Sequence, residues 1–150
     1  MAEAAFVYAI YIAARPQQVW DALIKPDFTK RYWEHVNLSD WKVGASWEHR
    51  DAGASNELKL VGRVLEFSPP RRLVLTWGLP GDRAGAAQSR VTIELEPLEG
   101  MVRLTVTHDQ LEPGSEMHRG IAEGWPRVLS SLKSLLETGK PLATWAKAAR

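Results

Sequence analysis

The sequence contains no cysteine, which excludes disulfide staples, thiolate metal sites, iron–sulfur clusters and cysteine nucleophiles, and fits a reducing compartment. It also lacks an excess of charge of either sign. Nineteen Lys and Arg stand against eighteen Asp and Glu, a net +1, too weak a field to make nucleic acid or a membrane surface the expected partner. Long apolar runs are missing as well: AAFVYAIYIAA gives way to Arg15 and Pro16, short of the roughly 20 residues that span a bilayer. The opening residues have neither the basic nor the apolar region of a secretory signal. The cytoplasm is therefore the expected location, and Asn37-Leu38-Ser39 is a glycosylation sequon in form only. No G-x-S-x-G, P-loop or dinucleotide fingerprint occurs. The four histidines, His35, His49, His108 and His118, show no metal-ligand spacing, so neither a metal nor a cofactor is expected.

What is present is enough for one domain spanning 1–150. At 150 residues and 45% hydrophobic content the chain can bury a sufficient core unaided, and it lies below the roughly 250 to 300 residues at which chains split. One bias needs explaining: seven of the thirteen aromatic residues are Trp, so large rings either fill the core or line a cavity.

Phe6, Tyr8, Ile10 and Ile12 alternate with smaller or more polar neighbours, a strand period. From Pro16 the pattern turns helical through Val19, Trp20, Leu23 and Ile24, and a second short helix follows Pro26, with Asp27 as its expected cap. A weaker hairpin is read between Val36 and Arg50, turning at Lys42-Val43-Gly44. Three stronger strands follow at Leu58 to Phe67, Arg72 to Trp77 and Ser89 to Glu96, then a fourth at Met101 to His108. Ile121, Trp125, Val128, Leu129, Leu132, Leu135 and Leu136 recur at three, four and seven up to Gly139, a long amphipathic helix. Pro126 within it predicts a kink or a later true start, with Ser115 to Glu123 as a separate turn or angled segment. Residues 142–150 are read as a flexible or helical tail. The order β-α-α-β6-α predicts an α+β fold in which an antiparallel sheet of six or seven strands curves around the C-terminal helix.

Three stretches carry a resemblance: IAARPQQVWDALIKPDFTKRYW near the start, GRVLEFSPPRRLVLTW from Gly62 to Trp77, and EGWPRVLSSLKSLLETGKPL from Glu123 to Leu142. Together they resemble the activator-of-Hsp90-ATPase-homologue-1-like branch of the START/Bet v 1-like (SRPBCC) superfamily over nearly the whole chain. The resemblance implies a helix-grip fold enclosing an elongated cavity between sheet and helix, which the superfamily uses for lipids, polyketides and other hydrophobic molecules. It implies no fixed catalytic set.

Trp33, Trp41, Trp47 and Trp77 stand at element ends or on weak strands, where a structural residue need not be so large, and are the leading wall candidates. Trp20 and Trp125 fall on helical apolar faces and are explained as core, although Trp125 and Leu129 also face the expected cavity from the long helix. Trp145 either caps the cavity or meets a neighbour. His108 shares the apolar face of its strand, so it is the candidate polar anchor and the one weak catalytic candidate; the plain alternative is a strand-end histidine satisfied by its neighbours. Glu48 and Glu66 are carboxylates that solvated strands explain. Arg90 and Arg103 face water, with cross-strand pairing to Glu94 or Glu96 as their expected role.

Three functions follow. The first is binding of a small hydrophobic or aromatic molecule in an enclosed cavity. The second is a cyclase- or hydrolase-type enzyme using His108 with a carboxylate. The third is a co-chaperone-like interaction module, which requires a filled core and an exposed apolar patch. Ligand identity and oligomeric state leave no trace in the sequence.

Overall fold

The structure, a computed structural model, describes residues 4–81 and 88–142. Trp145, the tail beyond residue 142 and the loop at Ala84 to Ala87 lie outside the described residues. The opening alternation forms β1 (Ala4–Ile12). Pro16, whose fixed φ suits a first helical turn, opens α1 (Pro16–Ile24), and Pro26 opens α2 (Pro26–Tyr32). The expected cap of α2 is corrected by two residues. Lys25 flanks the helix and Asp27 lies inside its first turn, where its carboxylate faces the helix's positive end. The buried Tyr32 hydroxyl donates to Ala22 O at 2.8 Å, tying α2 to α1.

Six further strands follow: β2 (His35–Ser39), β3 (Ser46–Asp51), β4 (Leu58–Ser68), β5 (Arg72–Trp77), β6 (Ser89–Leu98) and β7 (Met101–Leu111). They join β1 in one antiparallel sheet ordered β1-β7-β6-β5-β4-β3-β2. Inward residues such as Val91, Ile93 and Leu95 on β6 and Val102, Leu104 and Val106 on β7 are buried, as their alternation requires. The long helix α3 (Glu116–Thr138) is gripped by the curved sheet, the helix-grip fold.

The start of α3 differs from expectation. Ser115 caps it, its hydroxyl accepting from His118 N at 3.1 Å, and the helix runs through Pro126 without a separate leading segment. Proline removes only its own bond to the preceding turn. Ile121 and Trp125 before it and Val128, Leu129, Leu132 and Leu135 after it are all buried, so one apolar stripe carries the helix across. The C-terminal half is also pinned by polar contacts. Lys133 Nζ donates to Tyr11 O at 2.6 Å, and Glu137 Oε2 accepts from Ala13 N at 2.7 Å.

The outer face of the sheet carries ion pairs: Arg72 with Glu66 at 3.1 Å and Glu94 at 2.6 Å, and Arg103 with Glu96. Arg90 pairs with Asp109, directly opposite on β7, at 2.8 Å, instead of the expected Glu94 or Glu96. At these partly exposed positions each pair contributes little, about 0–1 kcal/mol. Glu48 pairs with Arg50 at 2.9 Å, so Glu48 and Glu66 are both partly exposed, ion-paired strand carboxylates.

Among the described glycines, Gly62 on β4 marks the tightest backbone approach. A Cβ built there would lie 1.9 Å from the carbonyl oxygen of Thr76 on β5, and rigid backbone cannot yield as a side chain would. Gly62→Ala is therefore expected to lower the unfolding free energy by about 1–3 kcal/mol in urea titration. An unchanged midpoint would show that the two strands are less closely held.

Candidate functional site

Beneath the N-terminal half of α3 the packing is incomplete. A pocket of about 380 Å³ is bounded by α3, the end of α2 and the β3–β5 edge of the sheet. Its floor is aromatic and aliphatic: Trp33 at the end of α2, Trp77 closing β5, and Ile121, Trp125 and Val128 from α3. Leu60, Leu79 and Met117 continue the wall, and Leu79 at the rim is 54% exposed, so the site is a slot open at one side and not the enclosed chamber expected. The space exists because Gly120 and Gly124 stand on the lining face of α3, and nothing lies within 4 Å of where their Cβ atoms would be.

The wall rings are mutually braced. Trp125 lies 5.6 Å from Trp33 and 5.4 Å from Trp77, tilted against both, within the range of favourable aromatic contact. Trp47 stacks on Trp77 at 5.0 Å. Trp47 and Trp41 border a separate void of only about 10 Å³, so these two candidates stand behind the main wall. Trp41 stacks on Phe67 at 5.9 Å, and Trp20 meets the same ring edge-on at 5.4 Å, a core role. Leu129 is buried and does not border the pocket. Trp33, Trp77 and Trp125 are thus the sequence candidates that the fold brings together around the slot.

His108 is wholly buried and off the pocket wall. Trp125 Nε1 donates to its Nδ1 at 3.2 Å, so Nδ1 is the acceptor nitrogen and Nε2–H donates to Ser89 Oγ at 2.7 Å. The Ser89 hydroxyl in turn donates to Trp77 O at 3.1 Å. Both ring nitrogens are used, and desolvation pushes the imidazole down to about 4, only partly offset by the neighbouring Asp109. His108 is a neutral strut that orients the Trp125 indole.

The histidine on the wall is His49, a residue the sequence reading does not select. It is 3% exposed, and burial, reinforced by the adjacent His35, pushes it down to about 3. Its Nδ1 meets Asn37 Oδ1 at 2.7 Å across the β2–β3 pair, and Asn37 Nδ2 donates to Leu23 O at 3.2 Å. The sequon asparagine is therefore buried with its amide engaged. The pairing of β3 with β4 slips between His49 and Arg50, and such an irregularity re-aims a side chain. Glu116, on the exposed rim, is the other titratable lining residue. Among the described residues no group of three His, Cys, Asp or Glu is placed to hold a metal, and no helix is long and apolar enough to cross a membrane.

Comparison with known proteins agrees with this geometry at the level of the fold. A family model described as activator of Hsp90 ATPase homolog 1-like protein matches residues 13–137. Similar solved structures include protein MLL2253 of Mesorhizobium loti, with 24% identity, a TM-score of 0.73 and coverage of 89% of this chain and 97% of that one. The Aha1 dimer of Colwellia psychrerythraea has 22% identity and a TM-score of 0.75, covering 91% and 98%. CalU16 of Micromonospora echinospora has 20% identity and a TM-score of 0.70, covering 91% and 78%. No curated protein matches the sequence significantly.

Proposed function

The chain belongs to the activator of Hsp90 ATPase homolog 1-like family, within the START/Bet v 1-like superfamily, and from that membership and the slot under α3 we propose that it binds a small hydrophobic or aromatic molecule. The observation that carries this reading is the pocket of about 380 Å³ walled by Trp33, Trp77 and Trp125. Its size falls in the range of small-molecule sites, and its lining is the kind that gains affinity by removing apolar surface from water, about 25 cal/mol per Å². The whole chain acts as one binding domain in this proposal, and we place it in the cytoplasm on composition alone.

The catalytic alternative gains nothing from His108, whose two nitrogens are spent on Ser89 and Trp125 and which stands off the pocket wall. The co-chaperone-like alternative asked for a filled core, which a slot of this size does not supply. Because three indoles line the site, a bound aromatic guest is expected to quench and shift the tryptophan emission saturably. Native mass spectrometry of protein purified from its source is expected to retain a small molecule. Naphthalene that leaves the emission unchanged, together with ligand-free protein in repeated preparations, would overturn the binding reading.

A further inference from the structure

We propose that the slot selects a neutral aromatic guest bearing a hydroxyl or N–H donor, which docks on His49 Nε2. This rests on the ligand-binding reading above and adds the chemistry of the guest. The argument begins with the Asn37 amide. Leu23 O is solely an acceptor, so the Asn37 NH2 group must face it, which leaves Oδ1 facing His49. Asn37 Oδ1 is an acceptor too, so His49 Nδ1 carries the proton and donates at 2.7 Å. A neutral imidazole protonated on Nδ1 has its lone pair on Nε2.

That lone pair has no partner among the described residues. The sealed side-chain atoms lacking a hydrogen bond are Trp47 Nε1, Trp77 Nε1 and Gln88 Oε1. His49 Nε2 is not one of them, so it is not sealed, and the ring that carries it lines the slot. The ring is pinched between Trp33, 4.6 Å away, and His35, stacked at 4.8 Å, and the Asn37 bond fixes its rotation. It is therefore a fixed acceptor in an otherwise apolar wall. Such a group discriminates strongly, because a guest without a donor leaves it desolvated and unpaired.

The lining also decides against anions. Among the described residues no Lys or Arg borders the slot, and the one carboxylate, Glu116, sits at the rim. A carboxylate guest would find no counter-ion among those residues and would set its own acceptor oxygens against the His49 lone pair. The body of the guest is dictated by the indoles of Trp33, Trp77 and Trp125, which offer faces and edges to a planar ring system. A phenol-like hydroxyl on fused rings meets all three conditions.

The test compares naphthalene, naphthol, the methyl ether of naphthol and naphthoate by tryptophan quenching at neutral pH. Naphthol is expected to bind about three- to tenfold tighter than naphthalene or the ether, the gain of one satisfied hydrogen bond, with naphthoate weakest. The ether keeps the oxygen and removes the donor, so no variant is needed for this comparison. Nitrogen NMR of the histidine rings is expected to show the Nε2 signal of His49 moving with naphthol and not with naphthalene. In a double variant, Asn37→Leu with His49→Leu, naphthol loses its advantage over its methyl ether. Equal affinity for naphthol and its ether, or an unmoved His49 signal, overturns the donor proposal while leaving the binding reading intact. Failure of all four compounds overturns both.

Discussion

Acidification from pH 7 to pH 5 is expected to lower the unfolding free energy by about 4 kcal/mol, a large share of the 5–15 kcal/mol that holds a typical domain together. The cause is two imidazoles buried as neutral bases. His49 is pushed down to about 3 and His108 to about 4 from an ordinary value of 6.5, in both cases chiefly by desolvation. In the unfolded chain both take up a proton as the pH falls through 6.5; in the folded protein neither does until about 4. Between those limits the unfolded state holds two more protons, so stability is complete above 6.5 and drains away as the solution becomes more acid. The limiting slope is about 2.7 kcal/mol per pH unit for the two groups together. Glu137, lowered mainly by the Ala13 N–H, and Asp51, lowered mainly by the Ser55 hydroxyl, add losses of the same sign only near and below their ordinary values of 4.5 and 3.8. Urea unfolding at several pH values measures the slope, and proton NMR follows each ring. A slope of one proton or less, or either buried ring titrating near 6.5, would sink the idea.

The coupling between stability and pH runs through the site itself, because the same two histidines hold its walls. Charging His108 removes the acceptor that Trp125 Nε1 uses, and charging His49 removes the lone pair offered to a guest. None of this follows from local sequence, and the reason is physical. Strands such as β6 and the stripe of α3 were legible because burial on one face leaves a period in the residues themselves. The three-indole wall was partly legible for a related reason, since Trp33 and Trp77 stand at element ends where size has no local explanation. His49 was not, because what buries it lies elsewhere: Asn37 twelve residues away on β2, Trp33 on α2 and Trp77 on β5. His108 was placed correctly on the inward face of β7, but an inward register does not say whether a side chain reaches a pocket or stops against another residue. Here it stops against Ser89 and Trp125. Pro126 misled in the opposite direction as a mark of the helix's true start, a local breaker overruled by burial on both sides of it.

Gly120 and Gly124 left the weakest trace of all, since the absence of a side chain is only meaningful once the facing element is known. They sit within a helix, where each glycine is about 1 kcal/mol less favourable than alanine, and both border the slot with no atom within 4 Å of a built Cβ. A helix selected for stability alone would carry alanine or leucine at these positions. The double variant Gly120→Ala with Gly124→Ala is therefore expected to raise the unfolding free energy by about 1–2 kcal/mol while weakening naphthalene binding. Gly124→Leu goes further, because an isobutyl group projecting into a slot of about 380 Å³ displaces a planar guest from the indoles. Losing contact worth three or four methylenes, at about 0.8 kcal/mol each, amounts to about a hundredfold loss of affinity or more. Tryptophan quenching gives the affinity, and urea titration of the same samples shows whether the fold is intact. A Gly124→Leu protein that is at least as stable as the parent and still binds naphthalene unchanged would mean that the guest lodges elsewhere. A protein that gains stability and loses its guest would show that these two positions keep helix α3 incomplete so that the slot stays open.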